Sequence, residues 1–214
     1  QSVSDVKDFP ELKSYMLDVY GVSIDDAVEK LDFESVCEGV LGIEKVIEEF
    51  PQAKASFKSV GVDNGGIMCA RYSGDICFNP TYYKTRESAV KASSSTSHFH
   101  PTGNNVISTG SHEMGHILEK ALIDKYNGSN PAGLVFWSDC IYAKAVVKEA
   151  CKSAKKLPEC KKMFNSRLKS DISGYAKTND SECLAEAVAD YVLNGDKAAV
   201  LSKEIWKILK KELG

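Results

Sequence analysis

The stretch Ser108–Leu122, "STGSHEMGHILEKAL", contains two of the four histidines of the chain and decides how the rest is interpreted. His112 and His116 are four residues apart, so on an α-helix both imidazoles lie on one face and reach one ion. Zinc binds such nitrogens at about 2.0–2.1 Å and takes a third protein ligand, which leaves a fourth position for water. Glu113 is placed to take the proton of that water as a general base. The segment therefore predicts an H-E-x-x-H active-site helix and one zinc ion per chain.

The third ligand has to come from elsewhere in the sequence. No histidine follows the helix, so a three-histidine site would have to use His98 or His100 from the loop before it. A carboxylate is favoured, because Glu182, Glu186 and Asp190 recur every four residues on one face of an otherwise apolar predicted helix. For Asp190 alone, a solvated acidic stripe is an equally good explanation.

Composition indicates a soluble globular protein with its own core. The chain has 214 residues, 43% hydrophobic and 27% charged, with a net charge of −3. This charge gives no basic field for nucleic acid, and no apolar run reaches the roughly 18 residues that span a bilayer. The first residues lack the apolar segment of a signal peptide. We therefore expect a cytoplasmic or virion-associated protein, and a start at Gln1 is consistent with a processed piece of a longer phage or toxin protein.

The cysteine pattern argues against a disulfide framework. The count is seven, with no C-x-x-C pair, which favours reduced, buried thiols. A Cys151–Cys160 bridge remains an alternative if the protein is exported.

Periodicity predicts an α+β fold that is mostly α. Ile67–Asn79 predicts a β-hairpin, and residues 91–105 predict a loop. We expect a single domain over residues 1–214, with a helical N-terminal lobe (1–60) and a catalytic core (61–214). The predicted helices cover residues 10–21, 23–31, 33–50, 109–126, 139–156, 158–169, 180–194 and 197–213.

Two motifs together resemble a known family. "HEMGH" followed by "GYAKTNDSECLAEAVADY" is similar to the anthrax lethal factor-like gluzincin metallopeptidases, whose second motif has a Tyr, a Glu seven positions later and then x-x-Ala-Glu. "FNPTYY" and "FHP" ahead of the helix look like the branch found in phage minor head proteins and prophage peptidases. The resemblance runs from about Gly61 to Gly195 and implies a zincin-like domain.

The resemblance implies a complete set of site residues. His112, His116 and Glu182 become the zinc ligands, and Glu113 becomes the general base. Tyr175 corresponds to the tyrosine whose hydroxyl steadies the oxyanion.

The resemblance also implies a role for Glu186, as the outer acceptor for a ligand histidine N–H. One departure is that Cys183 and Leu184 occupy positions where the family usually has aromatic residues. A thermolysin-type assignment, in which Glu186 is the ligand and Asp190 its partner, also fits the spacing, although only Glu182 leaves the tyrosine in register.

The substrate site is predicted on a strand. In zincin folds, an edge strand above the metal pairs with an extended peptide, and Ile76, Cys77, Phe78 and Asn79 are the residues expected there. For the upstream histidines, loop packing is favoured over a role in the substrate pocket or behind the ligands.

These patterns predict a zinc metalloendopeptidase that acts on a peptide or protein, with no nucleic acid or membrane partner. One alternative is a structural or interaction domain of a phage head or effector protein, in which zinc serves stability. A zinc hydrolase acting on a non-peptide bond is a further, unsupported alternative.

Overall fold

The computed structural model describes residues 2–94, 97–128 and 132–214, and its content confirms the predicted α+β, mostly α class. The helices are α1 (Phe9–Tyr20), α2 (Phe33–Glu49), α3 (Pro80–Tyr83), α4 (Arg86–Ser93), α5 (Val106–Asn127), α6 (Gly133–Ser138), α7 (Ile141–Ala154), α8 (Asn165–Ile172), α9 (Asp180–Asn194) and α10 (Val200–Leu213). The strands are β1 (Ser23–Ile24), β2 (Ser59–Val62), β3 (Met68–Ala70) and β4 (Asp75–Phe78). In the described ranges, no helix is long and apolar enough to cross a membrane.

The four strands form one sheet in the order β1-β2-β4-β3. The first three of these run parallel, whereas β3 pairs antiparallel with β4 and confirms the predicted hairpin. The sheet therefore presents β3 as its edge on the side of the histidine helix.

Helix α5 lies at the centre of the fold, with α2 and α9 as its main neighbours. It begins at Val106 because Asn105 and Ser108 form a capping box, in which each side chain accepts from the other's backbone N–H at 3.0 and 2.8 Å. The glycine of the H-E-x-G-H segment allows α9 to come close, since a Cβ on Gly115 would lie 2.7 Å from the Cα of Ala185. The histidines therefore point into the region where α5 and α9 meet.

Part of the predicted N-terminal helical lobe is wrong. Residues 23–31, predicted as a helix, form β1 and a short 3-10 helix, because Ile24 pairs with the distant Val60 instead of continuing a local helix. Strand β2 spans the expected boundary between residues 60 and 61, and β1 and β2 pair within the sheet that also contains β3 and β4. The expected boundary at residues 60 and 61 therefore does not divide the sheet, because strands from both sides of it belong to one sheet.

Two further boundaries differ from the prediction. The helix expected at 158–169 is replaced by turns up to residue 162, with α8 following from Asn165 to Ile172. The loop expected at 91–105 begins only after α4 ends at Ser93, and Ser95 and Thr96 of that loop lie outside the described residues.

The expected position of the substrate-binding strand is also wrong. Strand β4 is interior, hydrogen-bonded to β2 on one side and β3 on the other, so it offers no free edge. The side chains proposed for substrate contact are at most 4% exposed because they fill the core or cap the next helix. These residues are Ile76, Cys77, Phe78 and Asn79.

Candidate metal centre

Three side chains converge where the middle of α5 meets the first turn of α9. The Nε2 atoms of His112 and His116 are 3.3 Å apart, and Glu182 Oε2 lies 3.2 and 3.5 Å from them respectively. Tetrahedral zinc with bonds of about 2.0–2.1 Å separates its ligand atoms by about 3.3 Å. His112, His116 and Glu182 thus form a potential metal-binding triad with the spacing that a tetrahedral ion requires.

The local sequence explains how Glu182 reaches the histidines. Asn179 caps α9, and its side chain accepts a hydrogen bond from the Glu182 backbone N–H at 2.8 Å. This cap fixes Glu182 in the first turn of α9. The close contact between Gly115 and Ala185 brings that turn next to the histidine face of α5.

The electrostatics of the triad favour a cation. Glu182 Oε2 is buried and has no well-aligned hydrogen-bond donor among the described residues. Burial by itself raises the pKa of Glu182, but the two imidazoles offset this and hold the pKa well below its usual range. Burial lowers the pKa of His112, whereas Glu182 and Glu186 together raise it well above its usual value. A carboxylate oxygen facing two imidazole nitrogens is a donor set that suits zinc.

Glu186 lies behind the triad, almost fully buried. Its Oε1 is 2.8 Å from His112 Nδ1 and 3.1 Å from His100 Nδ1, and its Oε2 accepts from the Ser173 hydroxyl at 2.6 Å. Burial raises the pKa of Glu186, but the imidazoles of His100 and His112 outweigh it and bring the pKa to about 2. Glu186 faces the nitrogen turned away from Glu182, so the geometry favours Glu182 over Glu186 as the ligand.

Asp190 belongs to the packing between α9 and α10. It accepts from the Ala199 backbone N–H at 2.9 Å, the Ser202 hydroxyl at 2.6 Å and the Asn194 amide at 2.8 Å. The side chain is buried, so the explanation by a solvated acidic stripe is wrong for this residue.

A second buried carboxylate lies behind the other histidine. His116 Nδ1 is 3.1 Å from the Ser181 hydroxyl, which donates to Glu119. Both residues were missed by the sequence analysis. The available signal was Glu119 itself, an acid three residues after His116 within an apolar stretch of α5.

Glu113 is held by the edge strand. Its Oε2 accepts a hydrogen bond from the Ala70 backbone N–H at 2.7 Å, and the side chain is buried. Because backbone bonding alternates along an antiparallel strand, Met68 and Ala70 direct their backbone groups away from β4. The flanking residues of this strand make the hydrogen bonds across the hairpin. The Asn79 N–H donates to the Ile67 carbonyl, and the Arg71 N–H donates to the Asp75 carbonyl.

Tyr175 lies against one of the two histidines of the triad. Its ring stacks on the ring of His112 with centroids 6.0 Å apart, and its backbone N–H donates to the Phe99 carbonyl at 2.8 Å. Burial, with Glu182 as the next cause, raises the pKa of Tyr175 to about 12. The phenol is therefore neutral at physiological pH and available as a hydrogen-bond donor.

The two upstream histidines have different surroundings. His98 is exposed, and its Nε2 lies 2.9 Å from the backbone carbonyl of Ser170 on α8. His100 instead reaches Glu186, which favours the alternative that it acts behind the ligands.

A cleft passes through the triad. Cavities of about 370 and 470 Å³ flank it, and both are lined by Met68, His112, Glu113 and Tyr175. A third cavity of about 660 Å³ lies near Lys120, in the C-terminal half of α5. None of the site residues lines this cavity, so we place the candidate active site at the triad. The first cavity is largely apolar, with Ile67, Phe99, Pro101 and Ala189, and the second contains Leu134, Trp137 and Cys140.

No protein-family model, no curated protein and no solved structure matches the chain. Function therefore has to be argued from the site.

Proposed function

We propose that the protein is a zinc metalloendopeptidase of the gluzincin type. The observation that carries the proposal is the spacing of 3.2–3.5 Å among His112 Nε2, His116 Nε2 and Glu182 Oε2, which fits tetrahedral zinc. Zinc in this triad would supply Lewis acidity that activates water near neutral pH and polarises the scissile carbonyl.

The side chains around the triad have the chemistry that peptide hydrolysis needs. Glu113 lines both cavities and serves as the general base that takes the proton of the attacking water. Its hydrogen bond from Ala70 restrains the carboxylate in that position. Tyr175, neutral because its pKa is about 12, donates a hydrogen bond to the oxyanion that develops on the carbonyl.

The edge strand supports a peptide as the substrate. Met68 and Ala70 of β3 line the cavity beside the triad and direct backbone groups away from β4. The Ala70 N–H is bonded to Glu113, so an extended peptide would pair with the remaining backbone groups of this edge. The sequence predicted that β4 binds the substrate. Because β4 is interior and β3 is the edge of the sheet, we assign substrate binding to β3. The apolar cavity on one side of the triad suits an apolar substrate side chain.

Metal content and peptide cleavage test the proposal together. Purified wild type is expected to hold one zinc per chain by mass spectrometry and to cut members of a mixed peptide library. Glu182→Gln is expected to lose the zinc, whereas Asp190→Asn, a matched acid-to-amide change on the same helix, is expected to keep it. Glu113→Gln is expected to keep the zinc and lose cleavage, because only the general base is removed.

The alternative of a structural zinc site is favoured by one observation, namely that the triad joins α5 to α9 at the centre of the fold. It predicts that zinc removal unfolds the chain while the zinc-loaded wild type cuts no peptide. Zinc binding without cleavage would overturn the enzyme proposal. A wild type that binds no zinc after reconstitution would overturn both.

A further inference from the structure

We propose that Ser181 and Glu119 are positioning residues that fix the ring orientation and the tautomer of His116 for metal binding. This inference rests on the proposed metal site and adds to it two residues outside the ligand set. They lie on the two helices that supply the ligands: Glu119 on α5 and Ser181 on α9.

The direction of the hydrogen bonds carries the argument. The Ser181 hydroxyl donates its single proton to Glu119 Oε2. The Ser181 oxygen is then an acceptor toward His116 Nδ1, 3.1 Å away. A proton on Nδ1 leaves the Nε2 lone pair free, and Nε2 is the atom that faces Glu182 and His112.

Burial makes this arrangement more than a chance contact. Glu119 is fully buried in α5 and Ser181 is 8% exposed. A carboxylate at such a depth is costly unless nearby donors stabilise it. Among the donors to Glu119, which also include the Ala143 backbone N–H and the Trp137 side chain, the Ser181 hydroxyl is the one that contacts His116.

The two histidines are therefore oriented in different ways. His112 Nδ1 faces the Glu186 carboxylate directly at 2.8 Å, whereas His116 Nδ1 faces a carboxylate through a hydroxyl. Outer partners of this kind typically contribute about 10–100-fold to metal affinity. We expect the Ser181–Glu119 pair to contribute about 10-fold to metal affinity, the lower end of this range, because the hydroxyl in contact with the imidazole is neutral.

Ser181→Ala removes the link, and Ser181→Thr restores a hydroxyl at the same position. Ser202→Ala is the matched control, because Ser202 donates to the buried Asp190 in the same way but outside the triad. Zinc affinity is measured by competition with a chromophoric chelator, and the geometry of the site by the visible absorption of the cobalt-substituted protein.

Ser181→Ala is expected to bind zinc about 10-fold more weakly and to shift the cobalt bands. Ser181→Thr is expected to recover most of the affinity and the wild-type bands. Ser202→Ala is expected to lower the urea midpoint of the metal-free protein without changing either metal readout. A merely structural Ser181 would behave like Ser202.

Glu119→Gln provides a second route if Ser181→Ala does not fold. The amide keeps the side-chain volume, but its nitrogen can donate a hydrogen bond to Ser181. The Ser181 hydroxyl is then no longer held as a donor to residue 119 and can point toward His116. Weaker zinc binding is therefore again expected. Unchanged affinity and unchanged cobalt bands in both variants, with a wild type that binds zinc, would overturn the positioning role alone. A wild type that binds no metal would overturn the proposed function, and the positioning role with it.

Discussion

Glu44 on α2 is buried, and Glu182 on α9 buries its Oε2 atom, but the surroundings of the two carboxylates differ. Glu44 receives hydrogen bonds from the Val3 backbone N–H at 3.2 Å, from the Tyr20 hydroxyl at 3.1 Å and from the Tyr15 hydroxyl. Each of these groups brings a proton. Glu182 Oε2 has no such donor among the described residues and faces two imidazole nitrogens instead.

This difference distinguishes an acid that is satisfied within the fold from a candidate metal ligand. Neutral donors satisfy Glu44 without any further group, so its site is complete as folded. An oxygen and two imidazole nitrogens that converge on one point are all electron-pair donors once the imidazoles are neutral. A metal cation at their centre would stabilise such a cluster, as does a proton held on His112, whose pKa Glu182 and Glu186 raise. The contrast predicts that metal will affect one site and leave the other unchanged.

The largest expected effect is a zinc-dependent gain in stability that requires Glu182. A ligand at about 1,000 times its dissociation constant stabilises the native state by about 4.1 kcal/mol. Urea unfolding of wild type in zinc and in a chelator should differ by this amount, and Glu182→Gln should show no difference. A full zinc increment in Glu182→Gln would contradict the ligand assignment.

Glu44→Gln should destabilise the protein by about 1.5–3 kcal/mol, the usual contribution of hydrogen bonds to a buried charged group. The amide nitrogen cannot accept from the phenols, so at least one buried donor loses its acceptor. Urea unfolding should show this loss equally with zinc and with a chelator.

The matched control is Glu48→Gln, one turn further along the same helix and exposed. It is expected to change stability by no more than about 0.5 kcal/mol. A zinc-dependent loss in Glu44→Gln would mean that the two acidic sites are coupled.

The residues at the centre of the site were predictable because their signals are local. Four-residue spacing on α5 brings His112 and His116 together, and the same spacing of Glu182, Glu186 and Asp190 marks the acidic face of α9. Both helices occur close to where the sequence predicts them, at Val106–Asn127 and Asp180–Asn194.

The failures share a different cause, namely contacts between distant parts of the chain. Nothing local in residues 23–31 reveals that Ile24 pairs with Val60, so a capping pattern was interpreted as a helix. The position of β4 inside the sheet depends on β2 pairing with it in parallel, which hairpin signals do not encode. Ser181 was missed because its partners, His116 and Glu119, lie on another helix.

The smallest expected effect is a loss of stability at alkaline pH that arises around Glu44. Burial, followed by the hydrogen bond to Glu44, raises the pKa of Tyr15 from 10.0 to about 12. The folded state therefore holds this proton more tightly than the unfolded chain does. The resulting stability is present below about pH 10 and is lost as the pH rises toward 12.

At pH 11, one unit above the ordinary value, this loss is at most about 1.4 kcal/mol for one tyrosine. Urea unfolding at pH 8 and pH 11 should show a smaller pH-dependent loss in Tyr15→Phe than in wild type. An equal slope in Tyr15→Phe would mean that the alkaline transition arises elsewhere, with Tyr20, whose pKa is also raised, the next group to replace.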